Sequence, residues 1–147
     1  MSADTLISLY ALSNNLRHTV SDKRDTLCNS ISRFSGYCIV DHDKDPEFQS
    51  LGNVLSKINM LSHTINAAYQ ALTNSCDYIW EGRYIEHECI SFDNIPLAFD
   101  EMTIRVNAAI QSSTDDTIKS NFMVISNRLL DAERFYARYI KKFAGLK

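Results

Sequence analysis

The chain of 147 residues is long enough for one domain that buries roughly 70% of its unfolded surface, and its 45% hydrophobic and 22% charged residues are ordinary for a globular protein. Its net charge of −3 lacks the basic excess that phosphate neutralisation requires, so no nucleic-acid partner is expected. No apolar run approaches a bilayer span, so no stable membrane insertion is expected; the Met1-Ser2-Ala3-Asp4 start lacks a basic signal region, and a cytoplasmic protein is the default.

In chain order, the first predicted helix covers about residues 3–35. Leu6, Leu9, Leu12, Leu16 and Val20 form its apolar stripe, which resumes at Leu27, Ile31 and Phe34 after the polar stretch from Ser21 to Thr26. Neither Gly nor Pro occurs in that stretch, so a continuous helix with a solvated middle is expected. Cys28, Cys38, Cys76 and Cys89 form no close pair and read as reduced thiols, as in a reducing compartment.

Asp45-Pro46-Glu47 reads as N-cap, first-turn proline and dipole-matched acid. The second helix then runs to about residue 81, with Gly82 past its end. Its heptad row is Phe48, Leu51, Leu55, Ile58, Ser62, Ile65, Tyr69, Leu72, Cys76 and Ile79, broken only by Ser62. Gly52 lies inside this helix, where close helix approach or simple tolerance would account for it.

Asn94 and Pro96 open a shorter third helix, about 95–112, and Ser113-Thr114-Asp115-Asp116 opens a fourth, about 115–144. The fourth repeats the 3.5-residue period at Ile118, Phe122, Ile125, Leu129, Ala132, Tyr136, Tyr139 and Phe143. These elements predict an all-α protein, an elongated antiparallel four-helix bundle forming one domain over 1–147, with up-down-up-down order. A short third helix cannot cover its longer neighbours. Three explanations compete: the segment from Arg83 to Phe92 climbs the bundle, the uncovered helix ends pair with another copy, or one predicted helix is broken; the first two are compatible.

The motifs that suggest chemistry are weak, and no cofactor or metal is expected. Cys38, His42, His87 and Cys89 are zinc-type ligands, but a long helix separates the two pairs. Asp41, Asp43 and Asp45 imitate a calcium loop that lacks its glycine and its final glutamate. His63, beside the seam, reads as a solvated histidine. Glu86-His87-Glu88 has no nucleophile nearby in sequence, so an enzyme assembled from scattered residues is only a third reading.

The leading reading is a non-catalytic protein–protein interaction module of adaptor, inhibitor or regulatory type that binds a protein partner, itself as a homodimer, or both. Its expected surface joins Arg134, Phe135, Tyr136, Arg138, Tyr139, Ile140 and Phe143 to the acidic segment holding Glu86 and Glu88, since aromatic and arginine side chains concentrate interface energy. The simpler account of those aromatics is core. Residues 77–101 carry seven acids (Asp77, Glu81, Glu86, Glu88, Asp93, Asp100, Glu101) against Arg83 alone, a match for the basic end of the fourth helix. The alternative is a sensor-type bundle holding a small ligand near Ser62, with Asn59 and Asn66 at the pocket's edge.

Overall fold

The computed structural model describes residues 2–35, 44–74, 76, 79 and 90–144, with the backbone alone at 31–35 and 144. Four helices account for most of them: α1 (Ser2–Ser35), α2 (Pro46–Thr73), α3 (Ile95–Ser112) and α4 (Asp116–Tyr139). A 3₁₀ turn, Phe92–Asn94, leads into α3, and a π-helical turn, Ile140–Ala144, continues α4. Among the described residues there is no strand.

The starts follow from capping chemistry. The Asp45 carboxylate accepts from the Phe48 N–H at 2.9 Å, with Pro46 in the first turn. Asp115 accepts from the Thr117 and Ile118 N–H groups at 2.8 and 3.2 Å. α1 is one helix through its polar middle, as the lack of Gly and Pro implies. Arg24, from that middle, turns back onto α2 and places its guanidinium 3.9 Å from the Phe48 ring centroid. It also lies over Gly52, where a Cβ would stand 3.1 Å from an Arg24 terminal nitrogen. Close approach thus accounts for Gly52.

α2 stops earlier than its row suggests. Asn74 takes the left-handed conformation at φ 51° and its N–H bonds the Gln70 carbonyl, which closes the helix at Thr73. Cys76 is consequently exposed, off any helical seam. Ile79 is buried, but outside the helix, with its N–H donating to the Asn66 side-chain oxygen at 2.9 Å. Gly36, Gly82 and Gly145 lie outside the described residues.

Neighbouring helices are antiparallel throughout. Ser13 meets Ser62 and Arg24 meets Gly52, Glu47 meets Tyr139, and Thr103 meets Glu133. Packing runs α1–α2–α4–α3 and back to α1, so α2 and α3 occupy one diagonal and point the same way. The order is therefore up-down-down-up, a correction to the alternating order expected. The physical reason is the length of the α2–α3 connection. Sixteen or so residues reach about 50 Å when extended, more than the roughly 42 Å of the 28-residue α2. Ile79 sits beside Asn66 near one end, and Ile90 accepts from Thr19 well along α1.

The core contains Leu6, Leu9, Leu16 and Val20 from α1, Ile95, Phe99, Met102 and Val106 from α3, and Phe122, Ile125, Leu129 and Ala132 from α4. In α2 the buried row is Leu51, Val54, Ile58, Leu61, Ile65 and Ala68. Three positions of the expected row are thus replaced, with Val54, Leu61 and Ala68 in place of Leu55, Ser62 and Tyr69. α2 packs against both α1 and α4, so it needs a stripe wider than one heptad seam. The half-buried Leu55, Ser62 and Tyr69 form its flank.

Candidate functional site

The aromatic end of α4 meets the starts of α2 and α3. Phe92, on the 3₁₀ turn, stands edge-on to Tyr136 and Tyr139 with ring centroids 5.8 and 5.7 Å away. Phe99 lies 5.9 Å from Tyr136, and Phe143 lies 5.5 Å from Tyr139. Such pairs add to the burial of the rings themselves. Tyr136 donates to the Phe92 carbonyl at 3.3 Å and Tyr139 to Glu47 Oε1 at 2.8 Å. Burial, and secondarily the charge of Asp93, holds the Tyr136 hydroxyl above its ordinary pKa. Burial, the bond to Glu47 and that carboxylate's charge do the same, more strongly, for Tyr139. Both rings are core, at 7% and 2% exposure, so they chiefly support the surface, to which Tyr136 adds an edge.

Four other residues of the expected surface border that core. Phe135, Ile140 and Phe143 are half-buried and Arg138 is exposed. Lys57 and Arg138 lie 4.9 and 5.2 Å from the Phe135 ring centroid, and Lys142 lies 5.3 Å from that of Phe143. Arg134 is exposed and reaches Asp131 at 3.7 Å, a contact of small worth. Glu86 and Glu88 lie outside the described residues, as do Asp41, Asp43, Cys38, His42, His87 and Cys89.

Beside this cluster, between the start of α3 and the end of α4, runs a groove of about 620 Å³. Pro96, Phe99, Tyr136, Ala137 and Ile140 supply its apolar wall, and Asp93, Asp100, Glu133 and Lys141 its charges. Among the described residues, none of the three carboxylates forms an ion pair; Glu133 accepts only from the Thr103 hydroxyl, at 3.1 Å. The size is that of a recognition cleft. Asp93 and Asp100 were legible as part of the acidic segment, whereas Phe92, Phe99, Glu133 and Ala137 were not, because only the α3–α4 packing brings them together.

The alternative pocket residues each have their own polar setting. Ser62 donates to Ser13 Oγ at 2.9 Å, and Ser13 donates to the Tyr10 carbonyl at 2.9 Å. Asn66 receives the Ile79 N–H. Asn59 lines a separate shallow hollow of about 270 Å³ with Arg17, His18, Ser21 and Leu55. Ser13, Asn14 and Asn15 are buried polar residues that the leucine pattern of α1 concealed. Asn14 accepts from Arg17, while its amide nitrogen has no partner among the described residues.

Among the described residues, no group of three or more His, Cys, Asp and Glu side chains is placed to hold a metal, and no helix is long and apolar enough to cross a membrane. His63 is exposed. Comparison of the chain with protein-family models, curated proteins and solved structures finds no match.

Proposed function

We propose that the protein is a non-catalytic interaction module of adaptor, inhibitor or regulatory type, and that it docks protein partners at the end of the bundle where α3 begins and α4 ends. The observation that carries this reading is the groove itself: an apolar wall on a rigid aromatic core, lined by three carboxylates that form no ion pair among the described residues and outnumber the lone Lys141. Buried aromatics under a charged rim are the anatomy of a protein interface. Its tyrosine hydroxyls are engaged in packing, which favours binding over chemistry. Cys76 carries a free thiol, in keeping with a reducing, cytoplasmic setting.

The test is photo-cross-linking in cells with a benzophenone side chain at exposed Ala137, in the groove, against the same probe at exposed Lys119 on the opposite end of α4. Defined protein adducts should form at 137 and not at 119. Equal labelling at both positions, or labelling at 119 alone, would remove the groove from the proposal.

A further inference from the structure

We infer that the occupant of this groove is a second copy of the chain, paired about a two-fold axis near Ala137. The inference rests on the docking reading above and names its partner. Two features of α4 support it. First, its two flanks carry opposite charge at the same end of the bundle. Toward α3 lie Glu133 and, across the groove, Asp93 and Asp100, which outnumber the one base lining it, Lys141. Toward solvent lie Arg134 and Arg138, both exposed. Two-fold pairing requires a self-complementary patch, and acids on one side of the axis with bases on the other meet that requirement.

Second, the register matches. Thr103 contacts Glu133 and Phe99 contacts Tyr136, which sets Asp100 level with residues 135–136 of α4. A two-fold axis running along α4 at Ala137 keeps heights and exchanges flanks. Asp100 of one copy then falls opposite Arg134 and Arg138 of the second, and Glu133 opposite Arg134. Ala137 is exposed and small, so two α4 helices can approach closely at the crossing. The arrangement neutralises the groove carboxylates with cations the chain already carries. Opposed charges of this kind fix register and speed association, and salt weakens them.

Sedimentation velocity over a wide concentration range tests the pairing. The wild-type protein should pass from monomer to dimer, with the midpoint moving to higher concentration as salt is added. Asp93→Lys with Asp100→Lys, and separately Arg134→Glu with Arg138→Glu, should each weaken self-association by about tenfold or more, because each turns attraction into repulsion at two symmetric places. Mixed in equal amounts, the two variants should recover the wild-type affinity as a heterodimer, while Lys119→Glu at the far end should change nothing. Should a double reversal lose helicity, Asp100→Asn and Arg138→Gln replace it and must each weaken the dimer measurably. A wild-type protein that stays monomeric, a dimer indifferent to these changes, or a mixture that does not recover would overturn the inference. In those cases adducts at position 137 to other proteins would leave the docking reading standing, and their absence would retire it.

Discussion

Replacing Gly52 by alanine separates helix propensity from a specific contact. In a helix interior this exchange ordinarily stabilises by about 0.5–1 kcal/mol. Here the added Cβ would stand 3.1 Å from an Arg24 terminal nitrogen and 3.3 Å from its Cζ, so the guanidinium must give by a few tenths of an ångström. That group stacks 3.9 Å from the Phe48 centroid, a contact worth roughly 0.5–2 kcal/mol. Its buried Nε has no acceptor among the described residues and would gain water on leaving, which limits the loss. Set against the propensity gain, the net expectation runs from about 0.5 kcal/mol of stabilisation to about 1 kcal/mol of destabilisation, in every case less favourable than propensity alone. In an Arg24→Ala background nothing is displaced, and the same exchange should stabilise by about 0.5–1 kcal/mol. Urea unfolding of the four proteins, followed by far-ultraviolet circular dichroism at constant m-value, measures the coupling. If Gly52→Ala stabilises both backgrounds equally, Arg24 does not rest on Gly52.

The buried row of α2 predicts that Leu61→Ala costs about 2–5 kcal/mol and Leu55→Ala clearly less; equal costs in chemical denaturation would restore the heptad seam that includes Leu55 and Ser62. Asn74→Gly should be neutral or stabilise by up to about 1 kcal/mol, since glycine adopts positive φ freely, whereas Asn74→Ala should destabilise; a tolerated alanine would count against the left-handed cap. Tyr139→Phe should cost roughly 1.5–3 kcal/mol by removing a bond to a carboxylate, and Glu47→Gln in the same proteins gives the coupling between them. Tyr136 and Tyr139 are both raised on folding above tyrosine's ordinary 10. Their contribution is therefore whole below that pH and is lost as pH climbs toward the folded values. Alkaline titration should show stability falling above about pH 10, and Tyr136→Phe with Tyr139→Phe should flatten that fall; an unchanged alkaline limb would refute the assignment.

The sequence disclosed period and punctuation well, and partnership poorly. The row from Phe122 to Tyr139 was fully legible because α4 presents one continuous apolar stripe. In α2 the same reasoning chose Leu55 and Ser62 over Val54 and Leu61. Positions three and four residues after Leu51 flank the same line, and only the presence of neighbours on both sides decides which is deeper. Cys76 and Ile79 extended the period by coincidence, and Asn74 was the overlooked stop. It is one of the few residues other than glycine that accept the left-handed cap. Ser62 looked like a lapse in the core and therefore like a pocket; its partner, Ser13, is 49 residues away and could not be paired with it from spacing alone. The acidic segment and the basic helix end were each visible. That they border one groove depended on α3 descending beside α4, and topology lies beyond periodicity.

That topology also sorts the charges at this end of the bundle by how much they mean. The starts of α2 and α3 and the end of α4 come together there, so helix dipoles alone favour acids such as Glu47 and Asp93 at the starts and bases such as Lys141 and Lys142 at the end. Those residues have a local reason to be present, and a partner need not be invoked for them. Asp100 and Glu133 do not share it. Asp100 lies beyond the first turn of α3, and Glu133 lies in the interior of α4, away from its ends. Their carboxylates line the groove with Lys141 but form no ion pair among the described residues. Like charges held around a low-dielectric wall disfavour the isolated chain, and an opposing cation from outside relieves that cost. The docking proposal therefore rests chiefly on these two side chains, with the aromatic core beneath them serving to hold the surface rigid.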